Sequence, residues 1–158
     1  MRSALTRRVV TDVFLRIVAP TDFSDCAEEA WSLAQRTAQV LGSEMVLVHV
    51  FVEPPVYGGD AYGGAAAWQV LVEAEKWVAD ELEKWADEAR KRKIAVRTVV
   101  RNGSPSAEIV ALASEEHADL VIMGTHGRGG MSRVLLGSVA DRVIRTAPCP
   151  VLTVRKPE

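Results

Sequence analysis

The stretch that most constrains this chain runs from Val121 to Val139. An apolar run, Leu120 to Met123, has the length of a buried strand and breaks at Gly124. Gly124, Gly127, Gly129 and Gly130 then put four glycines within seven residues, and Gly137-Ser138 follows where a second apolar segment meets a helix start. Ser138 is expected to cap that helix, with Asp141 reaching back to the same amides and suiting the positive end of the dipole. A strand, a glycine loop and a helix N-terminus together suit phosphate. Amides without intrahelical partners point at an anion, and missing Cβ atoms let it approach. A tight turn alone would need fewer glycines. No Gly-Lys-Ser/Thr occurs, so this is not a Walker A loop.

Around it, strand and helix patterns alternate. Strands are predicted over 14–19, ending at Pro20, then over 45–52, 94–101, 120–123 and 151–154. The first helix is marked by Ala27, Ala30, Trp31, Ala34, Ala38 and Leu41 at helical spacing, with Ser24 or Asp25 as cap and Gly42 as stop. The longest helix covers 67 to about 92 and faces the core with Leu71, Val78, Leu82, Trp85 and Ala89. Trp68 and Trp77 fall at the edge of that stripe, a place to meet another chain. Pro105 opens a third helix with Ile109, Val110, Leu112 and Ala113 inward, and His117 at its exit reads as a surface residue. The fourth helix runs from Ser138 to about Arg145. The fold class is therefore α/β, a five-stranded parallel sheet with helices on both faces and right-handed crossovers.

Such sheets bind ligands beyond the carboxyl ends of their strands. The loops after strands one and four meet that requirement, so Pro20, Thr21 and Asp22 can converge with Gly124–Gly130. Asp22 reads two ways, as a turn residue bonding its own backbone or as a site carboxylate. His49, near the end of the second strand, is expected to be a buried imidazole bonded to the backbone, since no second metal ligand accompanies it at a suitable spacing.

At 158 residues, one domain is expected over 13–156 after a loosely held arm at 1–12. Nineteen basic and 21 acidic side chains give a net charge of −2, which supplies no electrostatic case for nucleic acid or an anionic membrane. Cys26 and Cys149 sit in neither a metal nor a redox spacing and are read as buried free thiols. No apolar run approaches the ~18 residues of a membrane span, and the basic, mixed first residues lack a signal peptide's apolar core. A cytoplasmic protein is expected. Residues 53–66, with Pro54-Pro55, Gly58-Gly59 and Gly63-Gly64, form a loop expected to be mobile, where Tyr57 and Tyr62 either cover a ligand or decorate the segment.

Gly124-x2-Gly127-x9-Gly137-Ser138 resembles the G-x2-G-x9-G-[ST] signature of ATP-binding universal stress proteins, and the resemblance covers residues 12 to 155. It implies strand order 3-2-1-4-5 and a homodimer in which Val151–Val154 pairs with its copy. It also implies that Asp22 lies near the nucleotide and that the Val50 backbone lies beside the adenine. The apolar slot for the base would come from Val50, Ala19 and the Pro20 loop. Phosphate donors would be the amides of the loop formed by Met123, Gly124, Thr125, His126, Gly127, Arg128, Gly129 and Gly130, with those of Gly137, Ser138, Val139 and Ala140 and the Ser138 hydroxyl. His126, Arg128 and Arg133 either reach outer phosphates or face solvent. Mg2+ or Mn2+ would be held mainly by phosphates and waters, with Asp22 in reach.

The catalytic set for phosphoryl transfer is missing: there is no P-loop lysine, no kinase motif and no nucleophile elbow around Ser138. Three functions remain: an ATP-binding stress-response module with at most slow hydrolysis, an ATP-hydrolysing or adenylating enzyme, and a scaffold with a vestigial site. ADP, AMP and cyclic AMP remain alternative ligands, and an unidentified protein partner is possible. Valine at Gly127 or Gly137 is expected to abolish binding while leaving the fold largely intact.

Overall fold

The computed structural model describes residues 14–52, 64–127 and 136–156, with only the backbone considered at 64–67. The 1–12 arm, Tyr57, Tyr62, Arg128, Gly129, Gly130 and Arg133 lie outside the described residues. Nine elements alternate through the rest: β1 (Arg16–Pro20), α1 (Asp25–Leu41), β2 (Glu44–Phe51), α2 (Gly64–Lys91), β3 (Val96–Asn102), α3 (Pro105–Glu115), β4 (Leu120–Gly124), α4 (Ser138–Thr146) and β5 (Val151–Val154). All strand pairs are parallel, as the alternation of elements predicts, and the order is β3-β2-β1-β4-β5, as the resemblance implies.

Double coverage follows from strand periodicity. In β1, β2 and β4, Ile17, Ala19, Met45, Leu47, Leu120 and Ile122 point to one face, where α1 and α2 bury Ala30, Trp31, Ala34, Val78, Leu82 and Ala89 against them. Val18, Val46, Val48, Val121 and Met123 point to the other, under Ile109, Leu112 and Ala113 of α3 and Ala140 and Val143 of α4. Both faces are apolar, so these strands read as nearly continuous hydrophobic runs. β3 lies at an edge and mixes half-buried with exposed residues, none of them fully buried.

The helix ends follow their local chemistry. Ser24 accepts the Ala27 amide as N-cap of α1, and Gly42 closes that helix at φ 74°. Pro105 begins α3, where its missing N–H is not needed. At α4 the expectation is corrected. Gly137 is the N-cap and Ser138 the first helical residue, with no side chain capping the turn. Asp141 turns along the helix instead, its carboxylate accepting from Arg145 at 3.0–3.1 Å, because a guanidinium one turn away is a stronger partner than distant amides.

Candidate functional site

The strand order reverses between β1 and β4. The chain leaving β1 turns to the α1 face, whereas α4, which follows β4 in the chain, packs on the opposite face. A crevice opens between them at the carboxyl ends of the sheet. It holds a cavity of about 640 Å³.

Its polar end is built from three segments. After β1 come Pro20, Thr21 and Asp22; after β4, Gly124, Thr125, His126 and Gly127; and at the α4 start, Gly137, Ser138, Val139 and Ala140. The Gly137 amide donates to the Thr125 carbonyl at 2.8 Å, tying the α4 start to the exit of β4. The next amides, at Ser138 to Ala140, precede the first intrahelical partners, and no side chain caps them.

The three glycines allow close approach rather than unusual dihedrals, since none has a positive φ. A Cβ on Gly124 would lie 3.0 Å from the Cys26 carbonyl group. On Gly127 it would lie 2.6 Å from Asp22 Oδ2, and on Gly137 2.8 Å from the Thr125 carbonyl oxygen. Valine at Gly137 would therefore strike main chain before any ligand is considered.

Asp22 shows the turn chemistry that was one of its two readings. Its Oδ1 accepts from the Ser24 amide at 3.1 Å and the Ser24 hydroxyl at 2.6 Å. Asp22 also lines the cavity, so the readings are compatible. Among the described residues no cluster of three His, Cys, Asp or Glu could hold a metal alone. A cation here would draw most of its ligands from phosphates and water, with Asp22 contributing one side chain.

The other end is apolar: Val48, Val50, Phe51, Val52, Pro105, Ile109 and Val139 line it. Here the sequence reading needs correction. Ala19 does not reach the slot; it is 2% exposed and packs under α1 and α2 on the opposite face of the sheet. Pro105 and Ile109 do line it and were missed as site residues. The available signal was that α3 follows a parallel strand, which brings its N-terminus to the same end of the sheet. His49 also lines the cavity, with Nδ1 2.8 Å from the Thr21 carbonyl, the backbone contact expected of it. Thr125 Oγ1 lies 2.9 Å from His126 Nδ1 and 3.7 Å from Cys26 Sγ, while Cys26 Sγ donates to the Val154 carbonyl at 3.1 Å.

Residues 14–155 match the Universal stress protein family. The chain belongs to that family. It is 38% identical over 148 residues to universal stress protein MJ0531 of Methanocaldococcus jannaschii, covering 93% of this chain and 85% of the relative. The solved structure of M. jannaschii MJ0577 superposes with a TM-score of 0.80 at 28% identity, covering 92% of this chain and 99% of that one. A universal stress protein from Archaeoglobus fulgidus, solved in complex with dAMP, shares the fold at a TM-score of 0.62 and 24% identity over 90% and 98% of the two chains. No helix among the described residues is long and apolar enough to cross a membrane.

Proposed function

We propose that this universal stress protein binds ATP with Mg2+ or Mn2+ in the cavity between β1 and β4, and works as a nucleotide-dependent regulatory module of the stress response. One observation carries the reading: the Gly124–Gly127 turn, the uncapped amides at the start of α4 and the Asp22 carboxylate surround the polar end of a cavity whose other end is apolar. An adenine would occupy the end formed by Val50, Val52, Pro105 and Ile109. The phosphates would meet the amides of Gly127 and Ser138 to Ala140 and the Ser138 hydroxyl, and Asp22 would help hold the cation, directly or through water, where it would offset phosphate charge. The cavity volume lies within the range of small-molecule sites.

The described side chains supply binding more readily than chemistry. Among the described residues no lysine lines the cavity, and Asp22 is already engaged by Ser24. Hydrolysis is therefore proposed to be slow at most, with occupancy as the signal. The working form is proposed to be a cytoplasmic homodimer of one domain per chain, 13–156, joined through β5, whose outer edge has no partner strand in the described sheet. Two free cysteines fit a reducing compartment.

A second reading has support of its own. The A. fulgidus relative holds dAMP, and a site whose base slot is independent of the phosphate chain would also take AMP or cyclic AMP. Denaturing the purified protein and identifying any released nucleotide by mass spectrometry separates the two. ATP near one per chain supports the proposal, and AMP or a cyclic nucleotide favours the second reading. A protein that releases nothing, and whose melting temperature is unmoved by ATP with Mg2+ or Mn2+, ends the ATP proposal.

A further inference from the structure

Phe23 holds a backbone conformation that bulky residues avoid. Its φ is 61°, in the left-handed region. The other described non-glycine residues with positive φ, Lys93 and His117, follow helices, where a left-handed residue commonly ends the helix. Phe23 precedes one. A bulky residue persists in that conformation only where its surroundings over-determine it, and such sites gather where geometry matters to function.

The surroundings here are specific. The Phe23 amide donates to Thr21 Oγ1 at 3.0 Å. Its ring stacks on His49 with centroids 5.0 Å apart, and meets Trp77 and Trp85 edge-on at 5.4 and 5.5 Å. Trp85 in turn stacks on Trp31 of α1. Residues on both sides of Phe23 are tied down as well. The Thr21 amide donates to the Val48 carbonyl, and Ser24 is held by Asp22 Oδ1. Asp22 is thus fixed between two anchors, with Oδ2 against Gly127.

We infer that Phe23 is a positioning residue: its ring, seated among His49, Trp77 and Trp85, holds the left-handed turn that presents the Asp22 carboxylate to Gly127 and the cavity, and so sets affinity for the cation–phosphate end of the nucleotide. The inference rests on the proposed nucleotide site and adds to it a residue that does not line the cavity. It also joins that site to α2, the helix that carries Trp77 and Trp85.

The test uses the full chain with Phe23→Leu, which keeps apolar bulk but loses the stack, Phe23→Tyr, which keeps the ring, and both Asp22→Asn and the Phe23→Leu/Asp22→Asn double variant. Titration calorimetry with ATP and Mg2+ should show about a tenfold weaker Kd for Phe23→Leu, the scale of one charge-assisted contact, and a change under about twofold for Phe23→Tyr. In the Asp22→Asn background, Phe23→Leu should shift Kd by less than about twofold, because the group it positions is gone. Equal losses in both backgrounds, or a loss for Phe23→Tyr as large as for Phe23→Leu, overturn the inference. Amide exchange without nucleotide gives an independent reading. Phe23→Leu should speed exchange of the Ser24 amide about tenfold while the Val46–Val48 amides of β2 keep their rates. Unchanged Ser24 exchange overturns the positioning of Asp22. Faster Ser24 exchange in a protein that binds no adenine nucleotide in any variant instead overturns the proposed function, and with it the claim on affinity.

Discussion

Gly127 lies against the carboxylate of Asp22, so closely that a Cβ on the glycine would stand 2.6 Å from Oδ2. The contact joins the loop after β4 to the loop after β1 across the mouth of the cavity. Gly127→Ala should therefore push the carboxylate away from Ser24 Oγ and the Ser24 amide, and lower the melting temperature through the loss of one such hydrogen bond, roughly 1 kcal/mol. Gly127→Val should act in the same direction and abolish ATP binding. The discriminating measurement is a thermal-melt cycle with Asp22→Ala. If the clash is with the carboxylate, Asp22→Ala should recover part of the melting temperature lost in Gly127→Ala, and additive losses would contradict it.

Gly137 should behave differently. Its missing Cβ faces the Thr125 carbonyl oxygen, the group that accepts the Gly137 amide. Main chain cannot rotate aside as a carboxylate can. Gly137→Val should lower the melting temperature more than Gly127→Val, and no substitution at Asp22 should recover it. Differential scanning calorimetry of both valine variants, each with and without Asp22→Ala, checks the order.

The strand periodicity carries most of the fold, and the two corrections at the site, Ala19 and Pro105, both turn on how the helices cover the sheet. Ile17, Val18 and Ala19 are all apolar because β1 is covered on both faces, so nothing in the residues says which face Ala19 takes. It goes with Ile17's neighbours under α1 and α2, away from the cavity. Pro105 reads in sequence as a helix start at the carboxyl end of the sheet, but whether α3 leans far enough over β2 to bring it into the cavity is a tertiary fact. The Gly124, Gly127 and Gly137 spacing was legible, but not that each glycine accommodates a particular protein atom. Ser138 reads in sequence as the cap because glycine has no side chain to suggest the role, although the Gly137 backbone, at φ −62° and ψ 149°, serves it. Phe23 carried no sequence signal at all, since its conformation is imposed by aromatic residues distant in the chain.

Leu82 is fully buried on α2 against the sheet, in the same cluster as Leu47 and Ile122. Leu82→Ala removes buried methyl groups and leaves a cavity, which should cost about 2–5 kcal/mol. For a chain of this size that is a fall of roughly 10 °C in melting temperature. Trp68 on the same helix is 70% exposed, and Trp68→Ala should move the melting temperature far less. Comparable losses would mean that Trp68 is covered in solution.

Burial, and then the neighbouring Asp119 carboxylate, push the Cys149 thiol above its ordinary value of 9.0. The folded chain therefore keeps this proton to higher pH than the unfolded chain does. The associated stability is whole below the unfolded thiol's pKa and is lost as pH rises through it toward the raised native one. Melting temperatures measured between pH 8 and pH 11 should fall less steeply in Cys149→Ser than in the parent. At pH 8.5, iodoacetamide should alkylate Cys149 more slowly than an unfolded cysteine peptide. Alkylation at the peptide's rate would contradict the burial argument.

β5 provides the test of assembly. The Val121 amide donates to Pro150 and the Thr125 amide to Val154, which in a parallel ladder assigns the even-numbered residues of β5 to β4. The amides of Val151 and Thr153 then point away from the sheet, along an uncharged edge that would otherwise invite unspecific pairing. A homodimer formed there would use those amides as donors to the partner's strand. Thr153→Pro removes one of them and leaves the bonds to β4 in place. Light scattering after size exclusion should show the parent as a dimer and Thr153→Pro as a monomer, with the same far-UV circular dichroism for both. A parent that is monomeric throughout, or a Thr153→Pro variant that remains dimeric, would move the interface elsewhere. In the second case, the exposed Trp68 and half-exposed Trp77 of α2 become the next surface to mutate.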